Sequence, residues 1–121
     1  MNKKILIVDD QPEIRRLLTM TLGADYDIIA AADGTSALEA VRQHQPQAVL
    51  LDIMMPGQID GLAVLADIKT NLATKHIHVA MVTARGLADD YRLAHEMGAD
   101  AYFIKPFSPL QVVNWLQEKL K

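Results

Sequence analysis

Apolar and polar positions alternate in blocks along this chain, and the blocks change character at regular intervals. Ile5, Leu6, Ile7 and Val8 form an unbroken run of β-branched residues and leucine, the pattern of a strand covered on both faces. Pro12 then stands near the start of a helical pattern in which Ile14, Leu17, Leu18 and Leu22 are read as one face, with Gly23 closing it. A second, weaker strand is predicted over 27–32, followed by the turn residues Asp33, Gly34 and Thr35, a helix over 36–43 and an exit at Pro46. The third strand is read at 48–53, and the breakers Pro56, Gly57 and Gly61 mark the loop after it. A helix follows from Leu62 to about Leu72, with Leu62, Leu65, Ala66 and Lys69 at helical spacing. The fourth strand is read at 78–83, a helix at 88–97 capped by Gly98, and the fifth strand at 101–104. Ser108 and Pro109 open the last helix as N-cap and first helical residue. Five strands alternating with five helices through short connections predict an α/β fold, a three-layer (αβα) sandwich with right-handed crossovers.

Composition narrows the picture. The 121 residues predict a single domain spanning 1–121, since nothing in the chain reads as a repeat, linker or low-complexity tract. A formal net charge of −3 leaves no broad basic footprint, which argues against direct nucleic-acid binding. The absence of cysteine excludes disulfides and thiolate metal sites. No apolar run approaches the ~20 residues of a membrane span, and the first residues lead straight into a strand rather than a signal peptide. A cytoplasmic location without membrane association is the resulting expectation.

Candidate chemistry sits where the predicted strands end. Asp9 and Asp10 follow the first strand, Asp52 the third, Thr83 closes the fourth, and Lys105 with Pro106 follows the fifth. In a parallel sheet these ends share the carboxyl edge, where open α/β folds bind ligands. Three neighbouring carboxylates repel one another, and a hard cation such as Mg2+ relieves that repulsion while leaving room for phosphate oxygens. Asp52 has the position of an aspartyl nucleophile, Lys105 would offer a fixed charge to phosphoryl oxygens, and Thr83 a hydroxyl donor. Singly, each is ordinary turn, cap or surface chemistry. Their joint occurrence at four strand ends is what points to a site.

These residues and their flanks resemble a response-regulator receiver domain, the phosphorylated module of two-component signalling, including its chemotaxis-regulator-like members. The resemblance is carried by Ile5-Leu6-Ile7-Val8-Asp9-Asp10, Leu51-Asp52-Ile53-Met54-Met55-Pro56-Gly57, Asp60-Gly61, Val82-Thr83-Ala84, Gly98-Ala99-Asp100-Ala101-Tyr102 and Lys105-Pro106-Phe107, and covers essentially the whole chain. It implies a five-stranded parallel sheet in the flavodoxin-like order 2-1-3-4-5. It also implies that Asp52 accepts a phosphoryl group from a sensor histidine kinase or a histidine phosphotransfer protein. Asp10, Asp52 and the Met54 main-chain carbonyl would bind Mg2+, with Asp9 acting mainly through water. Thr83 and Tyr102 would form a switch pair that reports to the face made by the fourth helix, fifth strand and fifth helix. That face would meet a downstream protein partner or serve a fused output domain. The resemblance further suggests a cis bond between Lys105 and Pro106, and makes Met54 and Arg85 neighbours of the phosphoryl group that tune its lifetime.

The sequence departs from the family in three places. Gln58 and Ile59 put one extra residue between Gly57 and Asp60, which leaves that loop and the start of the third helix open. Ala101 and Trp115 stand where many transcriptional members carry an acidic residue and an arginine, so their dimer is not assumed. With Leu110, Val113, Leu116 and Leu120 as the expected buried stripe of the last helix, Trp115 lies off centre and becomes a candidate interface anchor, or a rim residue folded over its own helix. His76 and His78 lack a third ligand for a metal site, and His44 and His95 read as solvated helix residues.

Two other readings compete. A Mg2+-dependent phosphohydrolase using Asp52 on small substrates would want a general acid two residues on, and Met54 stands there. Flavin binding would want donors in the first loop, where this chain has Asp9 and Asp10. A switch that catalyses only its own phosphorylation and slow dephosphorylation, rather than an enzyme, is the reading favoured.

Overall fold

The structure, a computed structural model, describes residues 2–121. Its elements alternate as the pattern predicts: β1 Lys4–Val8, α1 Pro12–Leu22, β2 Asp27–Ala31, α2 Gly34–His44, β3 Ala48–Leu51, α3 Gly61–Thr70, β4 His78–Thr83, α4 Ala88–Glu96, β5 Ala101–Ile104 and α5 Pro109–Lys119. All strand pairs are parallel, and the sheet runs β2-β1-β3-β4-β5. The order reverses between β1 and β3, so the gap above these two strands is the topological switch point.

The unbroken apolar strands are explained by the two cores they serve. Leu6, Val8, Val49, Leu51, Val79 and Met81 point to one face and pack with Ala37 and Val41 of α2, Val64, Leu65 and Ile68 of α3 and Ala94 of α4. Ile5, Ile7, Ala48, Leu50, Ala80 and Val82 point to the other and pack with Leu18 and Leu22 of α1 and Val112 and Leu116 of α5. Successive strand side chains take opposite faces, so β1, β3 and β4 must be apolar at nearly every position.

The helices differ from the sequence reading in detail. Helix α2 starts two residues earlier, at Gly34, because the Asp33 carboxylate caps it by accepting the Ser36 N–H at 2.8 Å. It ends on Gln45, which adopts a left-handed φ of 48° before Pro46. Leu17 is 41% exposed, so the α1 core contact is made by Leu18 and Leu22 with Ile14 at its margin. In α5 the expected stripe is wrong at one end, since Leu110 is 64% exposed while Val112 and Leu116 are buried. At ~100° per residue, Leu110 lies roughly 140° from the centre of the face those two residues define. None of the described helices is long and apolar enough to cross a membrane.

Candidate functional site

Each strand-end group is fixed by a sheet-like bond that continues past its strand. The Asp9 N–H donates to the Ala31 carbonyl at 3.1 Å, the Asp52 N–H to the Val8 carbonyl at 3.0 Å, and the Lys105 N–H to the Thr83 carbonyl at 2.8 Å. The peptide between Lys105 and Pro106 is cis. These bonds bring Asp9, Asp52 and Lys105 together at the carboxyl edge of the central strands. Lys105 Nζ donates to Asp9 Oδ2 at 2.7 Å and to Asp52 Oδ2 at 3.1 Å. Both carboxylates are nearly buried, and Asp10 beside them is exposed.

Burial dominates the electrostatics of this cluster. Desolvation raises the Asp9 carboxyl above its ordinary value, although the hydrogen bonds from Lys105 and from the Gln11 N–H pull the other way. Burial alone would disfavour the Lys105 charge, but its hydrogen bonds to Asp9 and Asp52 outweigh that cost and raise its pKa. The ammonium therefore stays charged at any physiological pH.

The chemistry of the donor set fits a hard divalent cation. Asp9, Asp10 and Asp52 each offer a carboxylate oxygen, all within 4.8 Å of one another, and they are the one such group of three or more His, Cys, Asp or Glu among the described residues. Oxygen ligands on a partly open edge suit Mg2+, which keeps several waters and is held by few carboxylates. Asp10, Asp52, Met54, Ala84 and Lys105, with Gln11, line an open cavity of about 250 Å3. The Met54 N–H donates to Asp52 Oδ1 at 3.3 Å, and its side chain is exposed.

The backbone of Asp52 is hemmed in by Gly61. A Cβ on Gly61 would lie 1.9 Å from the Asp52 carbonyl oxygen and 2.7 Å from the Ile53 Cα, while the Gly61 N–H donates to the Ile53 carbonyl at 2.9 Å. Asp60 caps α3 by accepting the Ala63 N–H at 2.9 Å. The loop before Asp60 folds over the β2–α2 turn, where Pro56, Gly57, Gln58 and Ile59 line a cavity with Asp33, Gly34 and Thr35. Ile59 packs so closely on Gly34 that a Cβ there would sit 2.4 Å from the Ile59 carbonyl oxygen.

Thr83 and Tyr102 meet on Arg85. Thr83 Oγ1 is fully buried and accepts the Arg85 N–H at 3.2 Å, while the Tyr102 hydroxyl donates to the Arg85 carbonyl at 2.6 Å. The Arg85 guanidinium grips Asp90, in the first turn of α4, with two bonds of 2.9 and 2.8 Å. The Tyr102 ring packs edge-on against Tyr91 with centroids 5.4 Å apart. Burial, and then the Asp90 charge, raise its phenol above the ordinary tyrosine value.

Sequence reasoning missed Gln11 and Asp90. Gln11 Oε1 accepts a third bond from Lys105 Nζ at 3.0 Å. Its only signal was adjacency to the acidic pair; Asp90 gave none beyond a helix first turn. Trp115 lies at the other end of the sheet, half-buried and edge-on to His78 and Phe103 at centroid distances of 6.4 and 6.3 Å. Those contacts tie it to its own core.

Known proteins share this fold. The family model for the response regulator receiver domain matches residues 5–117. The DNA-binding response regulator MtrA of Mycolicibacterium smegmatis is 38% identical over the whole chain, which spans 52% of MtrA's length. The chain thus spans about half the length of the curated relatives it matches. Among solved structures, the BeF3-activated N-terminal receiver domain of Klebsiella pneumoniae RstA is 31% identical with a TM-score of 0.88, covering 98% of both chains. Chemotaxis protein CheY4 of Vibrio cholerae is 27% identical with a TM-score of 0.89, again covering 98% of both. A family match over residues 5–117, with solved receiver domains of the same fold, makes this chain a member of the response-regulator receiver domains of two-component systems.

Proposed function

We propose that this receiver domain is a phosphoryl-accepting switch with Asp52 as the acceptor. The observation that carries the reading is the nearly buried Asp52 carboxylate, which borders an open cavity and is hydrogen-bonded to the Lys105 ammonium beside Asp9 and Asp10. In the proposed step an Asp52 oxygen bonds to phosphorus as the bond from phosphorus to a phosphohistidine nitrogen breaks. The electron pair returns to the ring, which leaves as neutral imidazole when its other nitrogen carries a proton. Lys105 stabilises the charge on the phosphoryl oxygens, where a charged donor counts most in a partly dry site.

Asp10, Asp52 and the Met54 carbonyl are the proposed ligands of Mg2+, with Asp9 holding its waters; when bound, the ion neutralises phosphoryl charge. The Thr83 hydroxyl accepts from Arg85 and keeps its own proton to offer a phosphoryl oxygen. Tyr102, bonded to the same Arg85, would carry that movement to α4, β5 and α5, where Leu87, Tyr91, Ile104 and Leu110 are exposed. The proposed partners are a sensor histidine kinase or histidine phosphotransfer protein on the input side and an output protein or fused domain on the other. MtrA is described as DNA-binding, and an output of that kind would lie outside these residues. A cytoplasmic location belongs to the same proposal. Slow self-dephosphorylation, rather than turnover of a small substrate, follows from methionine standing where a hydrolase would place a general acid.

The test is intact-mass measurement after incubation with Mg2+ and acetyl phosphate. The wild type gains one phosphoryl group and Asp52→Asn gains none. An unlabelled wild type, or equal labelling of the variant, overturns the proposal.

A further inference from the structure

We propose that Gln11 is a positioning residue for phosphoryl transfer, acting through Lys105. The inference rests on the phosphoryl-accepting reading of Asp52. An ammonium has three N–H donors and no acceptor. Lys105 spends all three, on Asp9 Oδ2, Asp52 Oδ2 and Gln11 Oε1, the last at 3.0 Å across 94 residues of chain. Because Lys105 can only donate, the carboxamide must turn its oxygen to the ammonium.

Gln11 is itself held. It is the N-cap of α1 in an extended conformation, its N–H donates to Asp9 Oδ1 at 2.9 Å, and its carbonyl accepts from Ile14 and Arg15 at 3.1 and 3.2 Å. The Arg15 guanidinium returns to the Asp9 carbonyl at 2.8 Å, which ties the first turn of α1 to the strand end that carries Asp9. The third acceptor for Lys105 thus comes from a braced turn, and it lines the same cavity as Asp52.

The chemistry of the third acceptor decides what it does. A carboxylate at this point would add a fourth negative charge near Asp9, Asp10 and Asp52 and compete with incoming phosphoryl oxygens for the ammonium. A neutral carboxamide fixes the ammonium without that competition. When phosphoryl oxygens arrive, Lys105 exchanges its bond to Asp52 Oδ2 for one to a phosphoryl oxygen while the neutral bond to Gln11 still holds it in line. Orientation prepared before the reaction lowers the barrier because it need not be found during it.

The experiment is a double-mutant cycle read by labelling rate with acetyl phosphate and Mg2+, using Gln11→Leu, Lys105→Met and the pair. In the Lys105 background Gln11→Leu is expected to slow labelling about tenfold, the factor given by ~1.4 kcal/mol of lost transition-state stabilisation. Its Mg2+ affinity, followed by amide NMR shifts, and its urea midpoint are expected to stay near wild type. In the Lys105→Met background the same substitution is expected to change nothing, because its target is gone. Equal slowing in both backgrounds, or wild-type labelling of Gln11→Leu, overturns the proposal. A wild type that takes no label instead overturns the reading of Asp52 on which it rests.

Discussion

Replacing Gly61 with alanine tests whether the position of Asp52, the proposed acceptor, depends on the close approach of α3. The added Cβ would fall 1.9 Å from the Asp52 carbonyl oxygen and 2.7 Å from both the Asp52 carbonyl carbon and the Ile53 Cα, all backbone atoms with no rotamer to adjust. Relieving the worst contact to about 3.0 Å moves β3 and α3 apart by at least ~1.1 Å. Overpacking of this kind costs about 1–3 kcal/mol. Losing the Gly61 N–H bond to Ile53 adds ~1 kcal/mol. Alanine returns about 0.4–1 kcal/mol by restricting the unfolded chain. The expected net loss is therefore about 1–3.5 kcal/mol by urea unfolding. Because the contact is with Asp52 itself, the same ~1 Å displacement is expected to slow labelling by acetyl phosphate by up to about 100-fold under conditions where the variant is still folded. Gly34→Ala is the control, since its clash falls on Ile59 rather than on Asp52. It should lose stability without a comparable loss of rate. A Gly61→Ala protein within ~0.5 kcal/mol of wild type, or one destabilised yet labelled at the wild-type rate, would refute the argument.

The remaining predictions address charge, the tyrosine and the far end of the sheet. Lys105→Met leaves Asp9 and Asp52 facing each other without a cation, and is expected to lose about 1–3 kcal/mol in EDTA and to regain part of it with Mg2+, read as a ligand-dependent shift in urea midpoint. Mg2+ that fails to stabilise this variant would argue against a cation on these carboxylates. Tyr102→Phe removes the bond to the Arg85 carbonyl and should cost ~1 kcal/mol at neutral pH. Because the folded phenol is raised above 10.0, its contribution is complete below pH 10.0 and fades as pH climbs through the folded value. The gap between wild type and Tyr102→Phe should therefore narrow above pH 10.0, and a constant gap would contradict the raised value. Lys69 Nζ donates to the Lys75 and Ile77 carbonyls and to Asp100 Oδ2, so Lys69→Met should cost about 1–3 kcal/mol and leave labelling by acetyl phosphate unchanged.

How much of this was legible depended on whether the chain or the fold carried the information. Ile5 to Val8 declared a central strand because burial on both sides of a sheet leaves no polar position to break the run. Asp9, Asp52 and Lys105 were readable as a site because each is the first residue past a strand, and parallel strands bring such residues to one edge. Leu110 was misassigned because Leu110, Val112 and Val113 put apolar residues on more than one side of the start of α5, and only the packing of Val112 and Leu116 decides which side is buried. The Gln11 bond to Lys105 spans 94 residues, and neither residue carries a local pattern that depends on the other. Gly61 likewise read only as a turn residue, but it is required by the Asp52 backbone at the end of the preceding strand.

Arg85 gives that edge a mechanical consequence. One residue meets Thr83 through its N–H, Tyr102 through its carbonyl, and Asp90 of α4 through its guanidinium. Its side chain is 38% exposed while that of Asp90 is 10% exposed, so the charge on α4 is the part that depends on the pair remaining closed. If the Thr83 hydroxyl moves to bond a phosphoryl oxygen on Asp52, its bond from the Arg85 N–H must stretch or follow, and a shift of the Arg85 backbone would move the carbonyl that holds the Tyr102 hydroxyl. The β4–α4 loop cannot adjust to one of these partners without straining another. In the proposed switch, a small displacement at the acidic edge would thereby be referred to α4 and β5 together, through bonds of one residue rather than through a diffuse shift of the core.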